Sequence, residues 1–279
     1  MNAYSYLSDA KFQRVSDGRL ESLFQNSHPS LWTLALVWPQ LGDFDTLEYA
    51  WWLRRDRPYL EAANIQVRAV AIGDRAAGQT FCTYTGFPPE HLHVAPTAEP
   101  HQKLGLYRGL LPSLPGLTAQ QNGYLGLLLM CAGIGSPGTL KEVFRGYTGD
   151  KSAPQLIADT EVVEAKPLPA LKGDVFKAAG GKGFQRPFEL ATLRLRNMNE
   201  VLSHWRTYVP DAAYLTQRGA TFLIGPDSEG TLEILYEWRD RNILGFAENM
   251  SDPLLFLQNH VAGYRQVADG KPIATSRAI

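Results

Sequence analysis

The chain's 279 residues suffice for one large domain or two small ones, and 44% hydrophobic with 20% charged residues is the make-up of a folded globular protein. A net charge of −1 leaves no electrostatic footprint for nucleic acid or an anionic membrane surface. The longest apolar run, Tyr124 to Ile134, is broken by Gly126 and Gly133 and falls short of the ~18–20 residues of a span, so no membrane span is expected.

The opening stretch, Met1 to Gly18, lacks a basic region followed by an apolar one, so it does not read as a secretory signal. There are two cysteines, Cys82 and Cys131, and a reducing, cytoplasmic setting is expected. The sequon Asn249-Met-Ser251 then has no consequence. Residues 1–30 are polar, with a short helix expected around Leu20 to Phe24. A strand follows at Leu31 to Pro39, a loop from Gln40 to Asp45, and a helix from about Thr46. That helix carries Leu47, Trp51, Leu53 and Leu60 among charged residues, and Pro58 predicts a kink or an interruption. Ile65 to Ile72 is apolar toward its end, as buried parallel strands are. Residues 75–85 suit a second helix, ended by Pro88-Pro89; Leu92 to Ala95 is a short third strand, and Pro96 to Gly105 a turn and short helix.

Residues 110–190 are irregular. Two helices are expected there, 118–133 and 138–146, the second led by Thr139 with Glu142 at capping-box spacing. Ala178-Ala-Gly-Gly-Lys-Gly183 is expected to be a flexible loop; it lacks the P-loop spacing and following Ser or Thr of a phosphate cradle. A long helix over 191–208 has Met198, Val201, Leu202 and Trp205 on one face. Ala220 to Ile224 and Leu232 to Trp238 form a hairpin around the turn Gly225 to Gly230, and Pro253 to Tyr264 forms a last helix. The order β-α-β-α-β, excursion, α-β-β-α predicts an α/β fold. Its mixed central sheet would have helices on both faces and parallel strands joined by right-handed crossovers. The expected organisation is a single domain over 1–279, with 1–30 as an N-terminal extension and 110–190 as a long helical and irregular insertion.

Three stretches carry a resemblance to a known family. They are the strand ending in Trp38-Pro39 with its helix and Val67 to Ile72; Gln217-Arg-Gly-Ala-Thr-Phe-Leu-Ile-Gly-Pro-Asp227; and Trp238 to Asn249. The chain resembles the peroxiredoxin-like (alkyl hydroperoxide reductase/thiol-specific antioxidant) family of the thioredoxin superfamily, and is most similar to the peroxiredoxin-like-2 type of cyanobacteria and plastids. The resemblance implies a thioredoxin-like fold. In that family a reactive Cys opens the first helix; counting seven positions on from Pro39 reaches Thr46 instead. The Arg that polarises the peroxide corresponds to Arg218.

Peroxide reduction needs a thiolate, which a helix N-terminus stabilises. Thr46 stays protonated near neutral pH and cannot replace it. The expected role of Thr46 is that of an N-cap residue, supported by Asp43 and Asp45, acids suited to a helix start but repulsive to a thiolate. Cys82 is the alternative thiol, to be weighed against a buried small hydrophobe, and Cys131 is expected in the core. His91 and His93 alternate along a strand near His101 without a Cys or carboxylate cluster, so no metal is expected, nor any cofactor. Asp240 with Arg239 and Arg241 reads as a loop-ordering ion-pair set, and Arg218 as an anion binder or a salt-bridge partner. The apolar Ile243 to Met250 and the pair Trp51-Trp52 are either core or a partner surface.

The reading that follows is a peroxiredoxin-like protein without thiol peroxidase activity, acting by partner or ligand binding in a redox or photosynthetic context. The alternative is a thiol-dependent antioxidant oxidoreductase using Cys82. An unidentified protein partner and a homodimer, as peroxiredoxins often form, are the partner readings left open; nucleic acid is not among them.

Overall fold

The computed structural model describes residues 2–25, 32–150, 153–178, 187–227, 230–268 and 271–272. The glycine-rich segment after Ala178 and the tip of the 225–230 turn lie outside the described residues. The chain runs α1 (Ala3–Asp9), β1 (Phe12–Arg14), β2 (Leu20–Glu21), β3 (Trp32–Gln40), α2 (Phe44–Ala62), β4 (Ile65–Ile72), α3 (Arg75–Thr85), β5 (Leu92–Ala95) and α4 (Glu99–Lys103). Then come α5 (Ala119–Cys131), α6 (Gly138–Thr148), the small hairpin β6 (Val162–Val163) and β7 (Leu171–Lys172), α7 (Pro187–Ser203), α8 (Trp205–Tyr208), β8 (Ala220–Pro226) and β9 (Leu232–Arg239).

One seven-stranded sheet, ordered β2-β1-β5-β4-β3-β8-β9, organises the fold. β3, β4 and β5 are parallel, joined by α2 and α3; β8 runs antiparallel to β3, β9 to β8, β1 to β5 and β2 to β1. This mixed sheet flanked by helices is thioredoxin-like, as expected. β3 lies inside the sheet, between β4 and β8, and is buried on both faces. Its alternation sends Leu34, Leu36 and Trp38 into the larger core under α2, α3 and α7. Ala35 and Val37 enter a smaller core with Leu7, Phe12, Phe222 and Leu104 on the other face. Trp51 and Trp52 are core residues, as are Phe246, Ala247 and Met250. Among the described residues no helix is long and apolar enough to cross a membrane.

Several local expectations are corrected. Leu20–Glu21 is a strand paired with Phe12 and Gln13 rather than the start of a helix; the turn between them has Gly18 at φ +80°. Pro58 does not interrupt α2, because it lies on the exposed side, where the carbonyl its missing N–H would have met can be hydrated. α6 begins without a capping box. Its Thr139 hydroxyl donates to the Ile243 carbonyl at 2.8 Å, and Glu142 pairs with Arg145. The α7 stripe is displaced: Met198 and Leu202 are exposed, while Leu190, Leu193, Asn197 and Val201 face the core. Asn197 Oδ1 accepts from Trp51 Nε1 at 3.0 Å and Tyr84 OH at 2.9 Å, a polar pin that ties α2, α3 and α7. In place of a helix over 253–264 there is one helical turn, Leu257–His260, among irregular turns.

Candidate functional site

The sheet topology brings three short stretches to one place. The C-terminal end of β3 leads through Leu41 and Gly42 into α2. Residues 216–219 enter β8, whose Ala220 lies opposite Val37. β9 ends with Arg239 opposite Ala220, and Asp240 N donates to the Gly219 carbonyl at 3.0 Å. Gly219 permits this closeness, since a Cβ there would stand 2.3 Å from the Val37 carbonyl oxygen. Crevices outside the carboxyl ends of parallel strands are where α/β sheets place their sites.

Asp43, not Thr46, caps α2: its Oδ1 accepts from Asp45 N at 3.0 Å. Its Oδ2 takes Nη2 of Arg218. Arg218 is fully buried; its Nη1 donates to Asp45 Oδ2 at 3.2 Å and its Nε to the Thr216 carbonyl at 3.3 Å. Of the two readings of this Arg, the structure holds the salt bridge. Asp45 Oδ2 also accepts from Gly245 N at 3.3 Å, while Asp45 Oδ1 has no hydrogen-bond partner.

Asp240 joins the same cluster and is not paired with its neighbours in sequence; Arg239 turns to Glu237 and the Leu104 carbonyl instead. Asp240 is 4% exposed with Oδ1 unpartnered, and burial pushes its carboxyl up to about 7 despite Arg218. Burial and the Asp43 carboxylate also push Asp45 well above the usual range. Further along α2, Glu48 is buried too, 3.5 Å from Arg194 Nε, with burial raising its carboxyl.

Thr46 lies within the first turn of the helix, 1% exposed, with its hydroxyl unpartnered. Its expected role as N-cap is therefore corrected: the cap is Asp43, three residues earlier. Cys82, on α3, is packed among the large core and makes no hydrogen bond or ion pair with Arg218. Burial pushes its thiol up to about 12, so it is a core residue in this conformation. Cys131 reverses its expectation: it is exposed and lines a cavity with Gln40, Asp43 and Asp45. The tight packing of α5 explains this. A Cβ at Gly126 would stand 2.1 Å from the Leu110 carbonyl oxygen, so the glycine side of α5 faces inward and the Cys131 end turns outward. The histidines are separate. His93 Nε2 meets Glu21 at 3.2 Å, and His101 Nε2 donates to the Trp38 carbonyl at 2.9 Å, its imidazole pushed down to about 4 by burial. Among the described residues no group of three or more His, Cys, Asp or Glu could hold a metal ion.

Sequence reasoning singled out Arg218 and the acids near Thr46, but missed Asp240 as their neighbour and Gln40 and Cys131 as cavity walls. The local signals for Asp240 were ambiguous, because flanking arginines mimic an exposed ion-pair set. A family model described as AhpC/TSA antioxidant enzyme matches residues 52–242. The match begins at Trp52, past Thr46, and takes in Arg218 and Asp240. No curated protein matches the chain.

Proposed function

Since the chain belongs to the AhpC/TSA antioxidant enzyme family, on a thioredoxin-like fold, we propose that it has left thiol peroxidase chemistry and works by binding in the crevice at the N-terminus of α2. The observation that carries this reading is the state of that crevice. Where a peroxidase needs a thiolate beside a free cation, this chain has a buried, unpartnered Thr46 hydroxyl and an Arg218 already held by Asp43 and Asp45. A thiolate placed there would be buried beside three aspartates that share one arginine, so it would gain no free cation and its pKa would be raised rather than lowered. The assignment of Thr46 and Arg218 to the family's nucleophile and arginine positions is part of this proposal.

The alternative through Cys82 draws no support from its burial or from a thiol that ionises only near pH 12. The finer placement, the cyanobacterial and plastid peroxiredoxin-like-2 type with a cytoplasmic, photosynthetic setting, rests on the Trp238 to Asn249 stretch. A photosynthetic partner enriched on tagged protein from the native host would support it, and its absence would remove it.

The decisive measurement is hydrogen peroxide consumption under a thioredoxin or glutathione couple. The chain should show no turnover above a variant carrying Cys82→Ser and Cys131→Ser. Turnover clearly above that control ends the binding reading.

A further inference from the structure

The crevice continues into a cavity of about 140 Å³ between the first turn of α2, α5, and the α7–α8 region. A cavity of this size admits a body such as a benzene ring. Leu127, Val201 and Leu215 supply apolar walls, and Phe44 and Trp205 supply aromatic ones. The polar end is formed by Gln40, Asp43 and Asp45. Gln40 is 2% exposed; its amide nitrogen donates to the Asp211 carbonyl at 2.8 Å, leaving Oε1 without a partner. Asp45, also 2% exposed, leaves Oδ1 without one. Two residues that line one apolar cavity thus each hold a buried acceptor without a donor, which is costly.

The charge around them has a sign. Asp43, Asp45 and Asp240 surround a single guanidinium, Arg218, which is occupied by two of them and by the Thr216 carbonyl. A carboxylate or phosphate ligand would find no open cation there, whereas a positive donor would favour the ionised form of Asp45, which burial and Asp43 disfavour while the site is empty. The aromatic walls favour the same sign, since ring faces attract cations.

We infer, building on the binding reading above, that this cavity takes a small primary ammonium ligand with an apolar body about the size of one ring, its N–H groups directed at Gln40 Oε1 and Asp45 Oδ1. The ammonium can donate to both acceptors at once while its ring fills the walls of Leu127, Val201 and Trp205.

The test uses the full-length protein and three probes with one body and different heads: benzylamine, benzyl alcohol and benzoate, titrated by calorimetry at neutral pH. Benzylamine should bind at least about tenfold more tightly than the other two. Asp45→Asn, checked for folding by circular dichroism, should abolish that preference. Leu127→Trp, which fills the cavity from α5 without touching the carboxylates, should abolish benzylamine binding altogether. The inference is overturned if benzoate or benzyl alcohol binds as tightly as benzylamine, if folded Asp45→Asn keeps the preference, or if folded Leu127→Trp still binds the amine. In the first of these cases the crevice still binds ligands and the broader reading stands with a different chemistry. If none of the three probes binds up to ~10 mM, the ammonium inference is overturned, and the peroxide assay separately decides the broader one.

Discussion

Two buried ionic clusters lie on the same helix, one near each end, and they are built on opposite principles. Near the C-terminal end of α2, Asp56 is fully buried and receives Arg265 Nε at 2.7 Å, the Tyr264 hydroxyl at 2.6 Å and a contact from Arg55. Arg265 also forks onto Asp252. Two acids meet two cations, and none of their polar atoms is left over. At the N-terminal end three aspartates meet one arginine, and Asp45, Asp240 and the nearby Thr46 each keep an unpartnered oxygen. The first cluster holds residues 252–265 against α2 and is complete without a ligand. The second is left open beside a cavity. Saturation therefore separates a staple from a site where charge and burial alone do not.

The comparison breaks most readily at its strong end. Arg265→Ala would leave Asp56 and Asp252 short of a cation in a buried place, and should cost about 3–5 kcal/mol. Urea unfolding with an unchanged m-value measures it; a loss under about 1 kcal/mol would show that the staple is not energetically coupled to the fold. Arg218→Met is the matching change at the open end. At pH 8 it should cost about 3 kcal/mol by leaving Asp43 and Asp45 uncompensated. At pH 5 the loss should shrink by half or more, because Asp45 and Asp240, both raised, take up protons instead. Equal losses at both pH values would mean that the open cluster behaves like the staple.

Asp240→Asn sharpens the contrast by sign. The folded-state carboxyl titrates at about 7 against an ordinary 3.8, so the folded chain holds this proton more tightly than the unfolded one. The stabilisation from the bound proton is full below pH ~4 and is lost as pH rises through ~7. Asp240→Asn should therefore raise stability at pH 8 by about 2 kcal/mol and flatten the decline between pH 4 and 7. Thermal unfolding across that range is the readout, and a variant less stable than the parent at pH 8 would contradict it.

How much of this was legible in the chain follows from the range of each signal. β4, α3 and β5 fall where the apolar runs and the Pro88-Pro89 stop place them, with Gly86 closing α3 in the left-handed conformation, because local pattern alone defines such elements. The capping box expected at Thr139 and Glu142 forms instead at Thr118 and Gln121, which share that spacing at the start of α5. Asp240 reads as one of a loop-ordering ion-pair set because its two arginine neighbours are near in sequence. Its real neighbours, Gly219 and the Arg218 cluster, come from the register of β8 against β3 and β9, which no local window contains. The sequence places Cys131 in the core for a related reason. An apolar segment reads as buried, whereas α5 turns its glycines inward against the backbone at Leu110 and Ala212 and leaves Tyr124 and Leu128 exposed. The Pro253 to Tyr264 helix failed because the segment's contacts are with Asp56 and the core rather than along its own axis.

The smallest expected effect falls on the position that motivated the functional reading. Thr46 carries a buried hydroxyl with no partner on the third helical residue of α2. Thr46→Val keeps nearly the same volume and removes the desolvation cost of that hydroxyl. It should raise stability by about 0.5–1 kcal/mol, with little to offset the gain because Thr and Val have similar helix propensities and the cap is Asp43. A loss of stability instead would mean that the hydroxyl has a partner in solution, and water reaching Thr46 from the cavity would be the natural one. Thr46→Cys discriminates further. If the carboxylates around Arg218 set the chemistry, the new thiol should react with iodoacetamide more slowly at pH 7 than free cysteine does, and should give no peroxide turnover. A thiol that reacts faster than free cysteine would mean that Arg218 and the α2 N-terminus outweigh Asp43, Asp45 and Asp240, and that one substitution is all that separates this chain from peroxidase chemistry.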